Sequence, residues 1–248
     1  MKELNKVAQI TLLFWVMKII ATTLGETLGD FFSMTLNYGY TLTLIVTAII
    51  FLVTLALQLN VKKYIPAVYW LVIVATTTLG TEISDFIDRS LHLGYIGGSA
   101  LLLFCLLITL FLWYKKFDDL QVYPIANRNK EAYYWVAILF SNSLGTALGD
   151  FLSDVVGLSY LQGAMVTAMV IIVMALLHYF SKVNQAVLFW LAFIFTRPFG
   201  ATFGDFLTKP AASGGLDLGT LNASLVSVLL MVIFIIISHF KGRSKSIG

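Results

Sequence analysis

Residues 15–31, WVMKIIATTLGETLGDF, recur in related form at 70–86, 135–151 and 190–206, so any fold for this chain must place four copies of one element. Each copy follows an aromatic residue (Phe14, Tyr69, Tyr134, Phe189) and carries a glycine ten residues after its Trp: Gly25, Gly80, Gly145 and Gly200. Five residues later comes an aspartate followed by Phe: Asp30, Asp85, Asp150 and Asp205. Successive tryptophans lie 55, 65 and 55 residues apart, so the second half repeats the first at an offset of 120.

Hydropathy says where such an element lives. Of the 248 residues, 59% are hydrophobic and 12% charged, and the mean hydropathy of +0.89 lies far outside the balance of a water-soluble domain. Apolar runs long enough to cross a hydrocarbon core occur near residues 8–30, 41–59, 65–85, 97–113, 132–150, 163–180, 186–205 and 220–240. Each repeat is therefore a pair of helices, over roughly 8–60, 64–114, 131–181 and 185–240, with a polar linker at 115–130 between the halves. The expected fold is all-α: a single polytopic membrane domain of eight transmembrane helices, arranged as four parallel two-helix repeats with pseudo-symmetry about the membrane normal. The first run continues past the length of a signal-peptide core and recurs later in the chain, so it reads as a retained helix. The single cysteine, Cys105, lies in an apolar run, which excludes disulfides within one chain.

The net charge of +3 hides a sorted distribution. Twelve Lys and Arg (Lys2, Lys6, Lys62, Lys63, Lys115, Lys116, Arg128, Lys130, Lys182, Lys241, Arg243 and Lys245) fall on the side of the N-terminus, and only Arg89 and Lys209 on the other. This places both termini in the cytoplasm, with a bacterial inner membrane as the expected location. Juxtamembrane positions account for these charges without nucleic acid. Lys18, one turn beyond Trp15, is expected to snorkel toward the nearer interface rather than pair with a carboxylate. Tyr40, Tyr95 and Tyr160 share one repeat position at the start of the even helices, where an interfacial tyrosine belongs.

Nearly all intramembrane polar groups are on the odd helices, so these should face an interior, with the aliphatic even helices around them. A second small residue follows each motif glycine at i+4, giving Gly25/Gly29, Gly80/Ser84, Gly145/Gly149 and Gly200/Gly204, a pattern that lets helix backbones approach closely. Beside this seam stand eight acids (Glu26, Asp30, Glu82, Asp85, Asp88, Asp150, Asp154, Asp205) against four bases (Lys18, Arg89, Arg197, Lys209). Carboxylates at such depth are paired, protonated or used. Asp30, Asp85, Asp150 and Asp205, with Glu26, Glu82 and Asn142, are the candidate ligands of a hard, oxygen-preferring cation such as Mn²⁺, Mg²⁺ or Ca²⁺. Arg197, standing where the other repeats have Thr22, Thr77 and Asn142, is the candidate internal counter-ion or gate, together with Arg89, Asp88 and Asp154. No nucleotide-binding loop, zinc-protease signature or Ser/His/Asp set occurs, and His92, His178 and His239 are scattered. Neither an enzyme nor a bound cofactor is expected.

The four copies of Trp-x9-Gly-x3-(Gly/Ser)-Asp-Phe resemble a family of bacterial membrane-anchored proteins built from a two-helix repeat of unassigned function. The segment Glu26-Thr-Leu-Gly-Asp30-Phe is similar in chemistry to the Glu-x-Gly-Asp-(Lys/Arg)-(Ser/Thr) motif of cation/proton exchangers associated with manganese and calcium. It has one extra residue before Gly, and Phe in place of the basic residue. The expectation is a secondary transporter, an exporter of a divalent cation such as manganese, with proton coupling. Two alternatives stand beside it: a non-transporting sensor or scaffold whose Asp residues pair with Arg197, Lys209 and Arg89, and a carrier of a small cationic or zwitterionic organic solute. The oligomeric state, a homo-oligomer included, is left open.

Overall fold

The computed structural model describes residues 4–244, with side chains as far as His239. Lys2 and Lys245 of the charge pattern lie outside the described residues, as do the side chains of Lys241 and Arg243. Among the described residues there are eight long helices and no strand: α1 Leu12–Asp30, α2 Gly39–Asn60, α3 Pro66–Asp85, α4 Gly94–Phe117, α5 Arg128–Asp150, α6 Tyr160–Phe180, α7 Gln185–Thr208 and α8 Thr220–Ser244. All eight are long and apolar enough to cross a membrane.

The odd helices form a closed ring in the order α1, α3, α5, α7 and back to α1. The small residues of the motif make this possible. A Cβ on Gly25 would collide with Thr77, and one on Gly200 with Thr22, while Gly80 lies against Asn142 and Ser143, and Gly145 against Arg197 and Pro198. Four residues on, Gly29 meets Thr81, Gly149 meets Ala201 and Gly204 meets Glu26. Contacts advance together along both partners, so neighbouring odd helices run in the same direction. Each even helix packs on the odd helix of the following repeat: α2 on α3, α4 on α5, α6 on α7, and α8 on α1. Between 61% and 72% of the apolar window of each odd helix is buried, against 17–28% for the even helices, which settles the inner and outer layers as hydropathy predicts.

Three details depart from the sequence expectation. α1 begins at Leu12, four residues after the start of the apolar run, where Thr11 caps it by accepting a hydrogen bond from the Phe14 amide at 3.3 Å. The residues before it lie along one end of the ring, with Lys6 N–H donating to Ile125 O and Tyr64 N–H to Asn5 O, both at 2.8 Å. Secondly, the connection between the halves is shorter than 115–130, because α4 continues through Lys115 and Lys116 to Phe117 and α5 starts at Arg128. Thirdly, the motif aspartate of the first three repeats is followed by a five-residue π-helical turn, Phe31–Thr35, Phe86–Ser90 and Phe151–Val155. In the fourth repeat α7 stays α-helical through Asp205 to Thr208 and a longer connection follows.

A candidate cation site and its tethered counter-ions

Polar layers are stacked along the ring from the tryptophan end to the aspartate end. The first aromatic residue of each motif closes the tryptophan end. Tyr69 and Tyr134 share a hydroxyl–hydroxyl bond of 2.5 Å, and the Phe14 ring lies 6.2 Å from that of Phe189 and 5.6 Å from that of Trp70. Trp70, Trp113 and Trp135 are fully buried around them.

Above this plug lies Lys18, and here the structure corrects the expectation of snorkelling. Its side chain is wholly buried. The ammonium donates to Asn142 Oδ1 at 2.7 Å and sits 3.9 Å from the centre of the Phe193 ring. Asn142 in turn donates to Thr76 Oγ1 at 3.0 Å. Both ends of this amide are engaged at the lysine level, so Asn142 does not join the carboxylates as a ligand. Since α1 and α5 are not neighbours in the ring, Lys18 spans it from one side to the other.

Arg197 makes a second crossing. Its guanidinium donates to Glu26 Oε2 at 2.8 Å, to Thr22 O at 3.3 Å and to Thr81 Oγ1, joining α7 to α1 and to α3 across the ring. Room for its stem comes from Gly145, where any side chain would overlap the Arg197 Cβ. Arg197, the candidate counter-ion or gate, is thus paired with an acid of another repeat.

The four repeated aspartates stand beyond Arg197, and two cations hold them in pairs. Lys209 Nζ is 2.6 Å from Asp30 and 3.2 Å from Asp205. Arg89 is 3.3 Å from both Asp85 and Asp150, and it also donates to the Tyr40 hydroxyl at 2.8 Å. Burial alone would lower the Lys209 pKa, but the carboxylates of Asp205 and Asp30 outweigh it and hold the ammonium well above its ordinary value. Arg89 and Lys209 occupy one repeat position, four residues after the motif aspartate, and aligning the copies beyond Asp-Phe reveals it. The other two copies have Met34 and Asp154 there.

Donor oxygens of Glu26, Asp30 and Asp205 lie within 4.8 Å of one another, all buried. Glu82 is fully buried, and neither of its carboxylate oxygens has a hydrogen-bond partner. Its Oε1 would be 3.0 Å from a Cβ built on Gly29, so the group rests on α1 beside Asp30. Two of the other candidates are not part of this layer. Asp88 is buried between α3 and α4, accepting from Ser84 at 3.2 Å and filling the place of a side chain at Gly98. Exposed Asp154 accepts from the Tyr95 hydroxyl at 2.6 Å, which gives that tyrosine a polar partner as Arg89 does Tyr40. Among the described residues, six ring carboxylates (Glu26, Asp30, Glu82, Asp85, Asp150, Asp205) thus face four cations (Lys18, Arg89, Arg197, Lys209). Such a set supplies hard oxygen ligands and a surplus of negative charge.

One network lay outside the sequence reading. Glu131, buried near the start of α5, pairs with Lys6 and accepts from Gln58 Nε2 at 2.8 Å, tying the N-terminal segment to α2 and α5. A buried acid in the first turn of a helix looks, in sequence, like an ordinary cap.

Ring, outer apolar layer and buried polar axis together define a multi-pass, all-helical membrane protein of four tandem two-helix repeats. The chain belongs to the family described as Repeat of Unknown Function (DUF347), which matches it at residues 13–64, 68–116, 133–184 and 188–244. No curated protein and no solved structure matches it.

Proposed function

We propose that the protein is a secondary carrier of a divalent cation, manganese being the type case, in a bacterial inner membrane. Both termini are cytoplasmic, and the repeats are related about an axis along the membrane normal. The observation that carries this reading is the Glu26, Asp30 and Asp205 cluster, three buried carboxylates with donor atoms within 4.8 Å, set in a ring whose acids outnumber its bases. Unbalanced negative charge in a low-dielectric interior is costly, and either a divalent ion or protons relieve it. Alternation between the two is proton-coupled exchange.

The test is Mn²⁺ flux in proteoliposomes under an imposed pH gradient. Asp30→Asn and Asp205→Asn are expected to abolish it. If Asp85→Asn and Asp150→Asn both left flux and cellular metal tolerance unchanged, the four-aspartate carrier would be abandoned. A second reading, a static scaffold or sensor, is favoured by one specific observation: Arg89 or Lys209 already holds every repeated aspartate. Restoration of stability by exchanging Asp30 and Lys209, with no flux in the wild type, selects that reading.

A further inference from the structure

The four interfaces of the ring are not equivalent in charge. From repeat two to three, Arg89 bridges its own Asp85 to the next Asp150; from repeat four to one, Lys209 bridges its own Asp205 to the next Asp30. The same bridging position in repeat one is Met34, which is neutral. Among the described residues no cation therefore bridges Asp30 to Asp85, each being held by a cation that bridges elsewhere, and it is at this interface between repeats one and two that Glu82 lies. Among the described residues Glu82 is the one ring carboxylate with neither a hydrogen bond nor an ion pair on either oxygen, although it is fully buried. It leans against Gly29 of α1, where a Cβ would stand 3.0 Å from Oε1 and would fill the space beside the carboxylate.

We infer that the interface between α1 and α3 is the seat of the transported cation, with Glu82 as its unpaired ligand beside Asp30, and that Arg89 and Lys209 are tethered cations filling the equivalent places at two other interfaces. This rests on the carrier reading above and locates its site. The recognised species is a small divalent cation with oxygen ligands, because the candidate ligands at this interface are carboxylates, and neither thiol nor imidazole is among them. The remaining interface, from repeat three to four, has acidic Asp154 at the bridging position and Thr202 where Glu82 stands, so it lacks the unpaired inner carboxylate. Its Asp154 is exposed and already engaged by Tyr95.

The test compares Mn²⁺, Mg²⁺ and Ca²⁺ binding to purified protein in detergent, by calorimetry and by thermal shift, for wild type, Glu82→Gln, Met34→Lys and Met34→Leu. Met34→Lys supplies the missing tethered cation. It is expected to weaken Mn²⁺ binding by about tenfold or more, the size of effect expected when a group at a metal site is lost. Glu82→Gln is expected to weaken binding similarly, and Met34→Leu to leave it unchanged. If wild type binds and both Glu82→Gln and Met34→Lys bind equally well, the seat is elsewhere and the carrier reading survives. If wild type binds none of the three ions and carries no flux, the carrier reading itself falls. Should Met34→Lys fail to fold, Glu82→Gln measured against Met34→Leu decides the same question.

Discussion

Arg197 offers the sharpest test of how the ring is held together. Its side chain is 0% exposed and that of its partner Glu26 is 5% exposed, with 2.8 Å between them. Arg197→Met keeps most of the aliphatic stem that packs against Gly145 and removes the charge. Breaking a buried ion pair from one side strands the other charge and costs about 3–5 kcal/mol. Glu26→Gln strands the guanidinium in the same way, although Thr81 and the Thr22 carbonyl still receive it. The double variant leaves no orphaned charge, so it is expected to be more stable than Arg197→Met alone, with a coupling of about 1–3 kcal/mol. Unfolding in mild detergent, followed by heat and by denaturant, gives the four corners of the cycle. Additivity of the two single effects to within about 0.5 kcal/mol would refute the pairing as an energetic unit.

Three further outcomes follow from the same geometry. Gly25→Ala and Gly200→Ala each place a Cβ into a threonine of the neighbouring helix, so both are expected to destabilise the ring by about 1–3 kcal/mol; unchanged unfolding midpoints would mean that these seams are loose. Tyr69→Phe and Tyr134→Phe each orphan a buried hydroxyl, at about 1–3 kcal/mol, and the double variant should lie closer to wild type than the sum of the two. Lys209 has a raised pKa in the folded protein, so its contribution is complete below the ordinary lysine value of about 10.4 and is lost only above it. The stability difference between wild type and Lys209→Met, both measured without metal, should accordingly not decline as the pH is raised from about 6 to 9; a decline with rising pH in that window would contradict the assigned bridge.

Much of the architecture was legible because it depends on local properties. Span count follows from run length, and the inner and outer layers follow from where the polar residues fall. The ring seam follows from small residues four apart, which share a helix face whatever the partner is. Lys18 was misread because a lysine one turn inside a membrane interface usually reaches outward, and its true partner is 124 residues away on a helix across the ring. Asn142 was placed with the carboxylates by its polarity, but its depth belongs to the lysine layer. The Glu131–Lys6 pair was missed because its partners sit 125 residues apart and one lies in a segment with no periodic pattern.

By itself the sequence determined the elements, their number, their orientation relative to one another within a repeat, and which faces avoid lipid, since hydropathy and helical period act along the chain. Only the tertiary structure decided which charge meets which. Whether the cation four residues past an aspartate serves its own repeat, the next one, or both depends on ring closure and on the turn after the aspartate. Coulomb energy in a low-dielectric interior depends on distances of a few ångströms, and those are set between helices, where neither period nor composition carries information.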